Sequence, residues 1–201
     1  MNELSVCETE TTARRGMWLF LLTEIMMFGG LFLLYAVYRV RFTQEFDSSA
    51  RQLNLWPGAA NAAILLTGSY CTTLSLTALR RGGRRLAVIL LMVTVVMGGL
   101  FLFNHYLEWS DQIRQGIYPG SAHLAHMAHG EILFFGLYYV TLALHGLHVL
   151  IGAIILAVIA VMIARGAVSP EDPIKLENAA LFWHLVDIIW IFIFPLYYLM
   201  H

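Results

Sequence analysis

Five long apolar runs divide this chain of 201 residues, at about 16–38, 59–79, 86–105, 131–164 and 179–200. A run of roughly 18 or more apolar residues with few charges is long enough to cross a bilayer as a helix. Inside lipid every backbone N–H and C=O must be satisfied within the segment, which leaves helices as the spanning form for runs of this kind. The sequence therefore predicts an all-α, polytopic membrane protein, a single bundle of five transmembrane helices over 16–201 preceded by a polar tail at 1–15. The composition agrees, with 59% hydrophobic and only 12% charged residues.

Several classes fall away at once. No basic patch with interleaved aromatics is present, so nucleic acid is not an expected partner. Cys7 and Cys71 form neither a disulfide framework nor a Cys-x-x-Cys motif. The first run is too long for a signal-peptide core and no small-x-small cleavage site follows it, so it reads as an uncleaved span. The Lys and Arg residues give the orientation: Arg14, Arg15, Arg80, Arg81, Arg84, Arg85, Arg165 and Lys175 fall on one side, against Arg39, Arg41, Arg51 and Arg114 on the other. By the positive-inside bias the N-terminus is cytoplasmic and the C-terminus outward.

Polar groups inside such runs are expensive and mark packing contacts, ligands or proton paths. His184 and Asp187 stand three residues apart in the last run, on one helical face and able to interact. Trp183 and Trp190 flank them as packing residues. Glu24 lies eight residues beyond Gly16, roughly 12 Å along a helix, and Asp187 lies eight beyond Ala179. The two carboxylates are thus expected at similar depth, as proton-holding groups or as hydrogen-bonded struts. His145 and His148 share the fourth run, and Glu108 stands at the exit of the third, in a loop expected over about 106–130.

In the second run Ala59, Ala63, Thr67, Cys71 and Ser75 recur at i, i+4, a stripe of small residues suited to close helix packing, with Asn61, Thr72 and Thr73 able to bond across helices. The Arg80–Arg85 turn is expected to anchor the chain on the cytoplasmic side and to hold anionic lipid head groups. His123, His126 and His129 raise a metal hypothesis, but at i, i+3, i+6 on a helix they wind around about 300° at 3.6 residues per turn and do not converge. No metal is expected there. His145 and His148, on one helix, cannot provide two facing axial haem ligands, and a His148–His184 pairing needs matched depths. No redox cofactor is expected on this chain.

Taken together, Leu22-Thr23-Glu24-Ile25-Met26-Met27-Phe28, the Asn61–Thr73 stretch, Glu108-Trp109, Leu144-His145-Gly146-Leu147-His148-Val149-Leu150-Ile151-Gly152 and Phe182-Trp183-His184-Leu185-Val186-Asp187-Ile188-Ile189-Trp190 resemble, in order, the motifs of subunit III of the haem–copper terminal oxidases. Thr23 replaces the family's usual serine, and Trp109 a tyrosine. The resemblance runs from Trp18 to the end and matches the five-helix bacterial form, without the two helices that precede it in seven-span members.

The resemblance implies a non-catalytic core subunit of an aerobic respiratory oxidase in the bacterial cytoplasmic membrane. Haem and copper would belong to its partners, subunit I above all, with subunit II and a subunit IV beside it and phospholipid bound. It implies that Glu24 is the family's buried carboxylate, supporting proton uptake and turnover stability. Alternatives are the subunit III-like protein that accompanies nitric oxide reductase, and a small proton-coupled transporter built on Glu24, His148, His184 and Asp187. Against the transporter, the runs carry neither internal repeats nor mid-membrane Gly/Pro breaks.

Overall fold

The computed structural model describes residues 3–170 and 172–200, with side chains from Thr12 onward apart from Ala13. The side chains of Cys7 and Glu171 lie outside this description. The chain forms α1 (Glu3–Arg41), α2 (Thr43–Ala50), α3 (Leu55–Arg80), α4 (Arg84–Arg114), α5 (Ala122–Ala125), α6 (His129–Arg165) and α7 (Ile174–Phe194), which ends in a π turn over Pro195–Leu199. Five of these segments are long and apolar enough to cross a membrane: Arg14–Arg41, Leu55–Arg80, Arg84–Arg114, His129–Arg165 and Ile174–Leu199.

Three boundaries differ from the sequence expectation. The backbone of 3–15 continues α1 instead of standing apart as a tail. The expected loop at 106–130 is helical as far as Arg114, so Glu108 and Trp109 sit on α4. Nothing in 106–114 breaks a helix, and the first strong turn signal is Gly116, whose φ is 77°. Residues 43–50, between the first and second spans, form the short helix α2.

The helix ends have local causes. Asn54 caps α3 by accepting the Trp56 N–H at 3.1 Å. Gly82, at φ 78°, and Gly166, at φ 83°, take the left-handed conformation that closes α3 and α6. The guanidinium of Arg84 then donates to the carbonyls of Ile163 and Ala164, satisfying the exposed end of α6. Pro195 has no N–H to give α7, and the chain widens there so that Met200 N–H reaches the Pro195 carbonyl at 3.1 Å. At 37 residues, α6 is about 55 Å long, well beyond a hydrocarbon core of about 30 Å.

The most extensive packing is between α3 and α4, then α4 and α6, with α7 filling the angle between α3 and α6. Trp183 of α7 is the central wedge. It is fully buried, and a Cβ built on Gly98 of α4 or Gly152 of α6 would come within 2.9 or 3.0 Å of its ring, while Gly68 of α3 stands at 3.7 Å. Three helices thus each lack a side chain where the indole lies. By contrast α1 buries a narrow stripe at every seventh residue, Leu21, Phe28 and Tyr35, while Trp18, Leu22, Ile25, Met26, Leu33 and Val37 are exposed. Tyr35 ties α1 to the end of α7 by donating to the Leu196 carbonyl at 2.6 Å.

The packing face of α3 is rotated from the expected stripe. Asn61, Leu65, Gly68, Thr72 and Ser75 are buried, whereas Ala63 and Thr67 are exposed and Ala59 and Cys71 half-buried. The Thr67 hydroxyl is satisfied within its own helix by the Ala63 carbonyl at 2.7 Å, so it needs no neighbour. Thr72 instead meets Thr94 of α4 at 3.1 Å, and Asn104 donates to Asn61 at 3.1 Å.

Candidate functional site

Arg14 of α1 and Arg80 of α3 meet Glu177 of α7 at one end of the bundle. Glu177 accepts Arg14 at 3.0 Å through one oxygen and Arg80 at 2.7 Å through the other. Glu24 and Asp187 each lie ten residues beyond a member of that bridge, roughly 15 Å along parallel helices. They therefore stand at similar depth, yet each faces a different neighbour.

Glu24 meets α6. Its Oε2 lies 2.9 Å from His148 Nε2, and both side chains are largely buried, at 14% and 12% exposure. His148 Nδ1 lies 2.6 Å from the Leu144 carbonyl. A carbonyl can only accept, so Nδ1 carries a hydrogen. One proton then occupies the Nε2–Oε2 contact, giving either imidazolium with carboxylate or imidazole with carboxylic acid. The two forms carry the same net charge and differ only in which atom holds the proton. Phe28 covers the pair edge-on, 5.4 Å from the His148 ring.

His184 and Asp187 do not pair with each other, contrary to the expectation from their i, i+3 spacing. His184 turns toward α3, with Nδ1 2.6 Å from Ser69 Oγ and Nε2 3.3 Å from Thr73 Oγ1. Ser69 and Thr73 are one turn apart and clamp both ring nitrogens, a pattern that their i, i+4 spacing makes legible once the facing helix is known. The ring also borders a cavity of about 250 Å³ shared with Thr73, Arg80 and Glu177. Asp187 is 3% exposed. Ser69 lies beside it, but neither carboxyl oxygen has a hydrogen-bond partner among the described residues.

His145, one turn from His148, is boxed by Phe28, Phe101 and Trp190, with ring centroids 6.4, 5.4 and 5.2 Å away. Both its nitrogens, both of His105 and the indole nitrogen of Trp190 have no hydrogen-bond partner among the described residues, though His105 Nδ1 stands 3.7 Å from Glu108 Oε2. Near the far end of the bundle Glu108 Oε1 accepts from Tyr198 at 2.6 Å and Tyr138 at 2.9 Å. Tyr138 also accepts from Gln112 at 3.2 Å. Sequence reading found Glu108 but not its tyrosines. The doublets Tyr138-Tyr139 and Tyr197-Tyr198, opposite one another at the ends of two spans, are the signal for them.

The remaining candidates lie apart. His123 is in the four-residue α5, His126 follows it, and His129 opens α6 with its ring 5.7 Å from that of Phe42. Among the described residues no group of three or more His, Cys, Asp or Glu is placed to hold a metal ion. Of the basic turn, Arg80 and Arg84 are engaged by Glu177 and by the end of α6, leaving Arg81 and Arg85 exposed.

A Glu–His contact between the first and fourth spans, with a histidine on the fifth span held by a hydroxyl pair on the second, places the motifs of the sequence in one membrane bundle. The sequence profile of cytochrome c oxidase subunit III matches residues 6–201. The chain belongs to that family. Subunit 3 of cytochrome c oxidase from Prototheca wickerhamii is 32% identical over 92% of this chain and 68% of its own length. Subunit 3 of the cytochrome bo(3) ubiquinol oxidase of Pseudomonas aeruginosa is 28% identical over 92% and 83%. The haem–copper oxidase subunit I+III of Aeropyrum pernix is 27% identical over 92% of this chain, which spans only 22% of that longer protein. A subunit III chain is part of a terminal oxidase complex without being its catalytic subunit, and this one has the spans of a multi-pass membrane protein.

Proposed function

We propose that this subunit III supports proton uptake by the large catalytic subunit of a proton-translocating haem–copper oxidase, and that the Glu24–His148 pair is the group through which it does so. The observation that carries the reading is the 2.9 Å contact with Nδ1 of His148 already committed to Leu144. A pair that shares one proton can accept a second or release the first with little movement of heavy atoms. It lies within the membrane on α1, the helix whose apolar surface is the least covered by its own chain. That exposed face is the surface on which the catalytic subunit packs, and the Aeropyrum pernix relative, named for subunits I and III in one protein, is consistent with such an arrangement. Subunit II and a subunit IV complete the complex. Haem and copper belong to those partners, the bundle lies in the bacterial cytoplasmic membrane with the arginine turn inward, and Arg81 and Arg85 hold phospholipid head groups there.

The test is Glu24→Gln in the purified oxidase. The amide N–H can still donate to His148 Nε2, so assembly and haem spectra are expected to match wild type. Proton uptake is expected to slow, with activity lost after fewer turnovers and the loss growing as pH rises and protons become scarce. Equal turnover lifetime for mutant and wild type across pH would leave the pair a structural strut.

A further inference from the structure

Glu24, His148, His145, His105 and Glu108 form a file of ionisable groups through the bundle. His145 stands one turn from His148 on α6, and His105 Nδ1 stands 3.7 Å from Glu108 Oε2 on α4. Residues of this kind inside a membrane ordinarily mark a proton relay. A neutral imidazole suits one, because one of its nitrogens carries a proton while the other can take one. Yet this file is broken at two places. Phe28 of α1 lies against both His148 and His145, with ring centroids 5.4 and 6.4 Å away. Phe101 of α4 lies against both His145 and His105, at 5.4 and 5.9 Å. Trp190 of α7 borders the same two imidazoles, at 5.2 and 6.5 Å. Successive histidines thus share an aromatic ring where a relay would have a hydrogen bond.

A phenyl ring has no proton to give and no lone pair to take one, so only water could carry a proton past it. The packing leaves no room for water. Phe28, Phe101 and Trp190 are at most 1% exposed. Both nitrogens of His145, both of His105 and the indole nitrogen of Trp190 are enclosed by protein, with no hydrogen-bond partner among the described residues. The Glu24–His148 pair, by contrast, keeps a small exposed edge on the surface of the bundle. We propose that Phe101, backed by Phe28 and Trp190, is an insulating plug that separates the Glu24–His148 pair from the Glu108 end of the bundle. The pair then exchanges protons through its exposed edge alone, and a file that would otherwise cross toward the far side of the membrane stays closed. The purpose of the plug rests on the proton role of that pair, whereas its test does not involve turnover.

Truncating Phe101 tests the plug, because what fills the space depends on its lining. An apolar cavity stays dry, whereas one bordered by several unpaired polar atoms takes up water. The rings of His145, His105 and Trp190, all with unpaired nitrogens, border this one. The intact purified complex would be reconstituted into phospholipid vesicles holding a pH-sensitive dye, and the decay of an imposed pH gradient followed without electron donor. Phe101→Ala is expected to leak protons severalfold faster than wild type. Phe101→Gln is expected to do the same, since its amide can bridge the two imidazoles while filling much of the space, and it reports on the plug where the smaller residue fails to assemble. Phe101→Leu, apolar and bulky, is expected to match wild type. Adding Glu24→Gln to either leaking variant is expected to restore the wild-type rate, because an amide cannot pass the proton on. A wild-type rate in assembled Phe101→Gln, an equal leak in Phe101→Leu, or a leak that Glu24→Gln leaves untouched would each overturn the proposal. None of these results depends on whether Glu24→Gln slows proton uptake by the working oxidase, so the two readings fail separately.

Discussion

At the scale of the residue, what distinguishes Glu24 and His148 from Asp187, His145 and His105 is that each fills the other's need. His148→Ala leaves a carboxyl group in apolar surroundings, 14% exposed and without its partner. Breaking a buried pair from one side typically costs about 3–5 kcal/mol, so a clear fall in thermal stability and in yield of the complex is expected, whereas Glu24→Gln keeps a donor for Nε2 and holds near wild type. Replacing both residues with leucine removes the orphan along with the pair, and stability is expected to recover relative to His148→Ala. Thermal melts of the three variants measure this, and a double variant as unstable as His148→Ala would show that the pair is not what His148 contributes. Glu108 makes a graded case. Tyr198→Phe deletes its shortest contact, 2.6 Å, for about 1.5–3 kcal/mol if the acceptor is charged, but Tyr138 remains, so a lowered melting temperature in an assembled complex is expected.

At the scale of the element, the bundle is organised on the contact of one indole with three glycines. Gly98→Ala brings a methyl to 2.9 Å from the Trp183 ring, and Gly152→Ala to 3.0 Å, each in a helix that cannot shift without disturbing its neighbours. Overpacking of this kind costs about 1–3 kcal/mol, against a gain of up to about 1 kcal/mol in helix propensity. Gly99→Ala, with nothing within 4 Å, keeps only the gain and should not destabilise. Melting temperatures that fall for Gly98→Ala and hold for Gly99→Ala would confirm the wedge. The sequence showed that the second helix packs through small residues, but it did not show through which face. The i, i+4 row is one stripe of α3, and Asn61, Leu65, Gly68, Thr72 and Ser75, at alternating steps of four and three, form another. Which one turns inward depends on Gly68, Gly98 and Gly152 meeting Trp183, a relation among residues on four helices. The same limit explains Glu24, Asp187 and His184. Their depths follow from residue counts along helices that start together, while their partners depend on helix rotation, which sends His184 to Ser69 and leaves Glu24 for His148.

At the scale of the whole molecule, the spans were legible because lipid leaves a chain so few options, and their ends were legible wherever glycine and arginine mark them. The end of α4 was misplaced because an apolar run measures the membrane and not the helix, and a helix continues into water until something stops it. Arginine placement makes the last prediction. Arg14, Arg80 and Arg84 all lie at one end, and there they bind Glu177 and the α6 carbonyls, so the positive charge that orients the chain also fixes its helices. Five spans put the C-terminus at the other end. A periplasm-dependent phosphatase fused after Met200 is therefore expected to be active, and the same enzyme inserted at Gly82-Gly83 inactive. That result would put Glu24 and His148 on an inward-opening route and Glu108 with its two tyrosines toward the outside. Activity at Gly82-Gly83 instead would invert the bundle, and with it the side from which the Glu24–His148 pair could draw a proton.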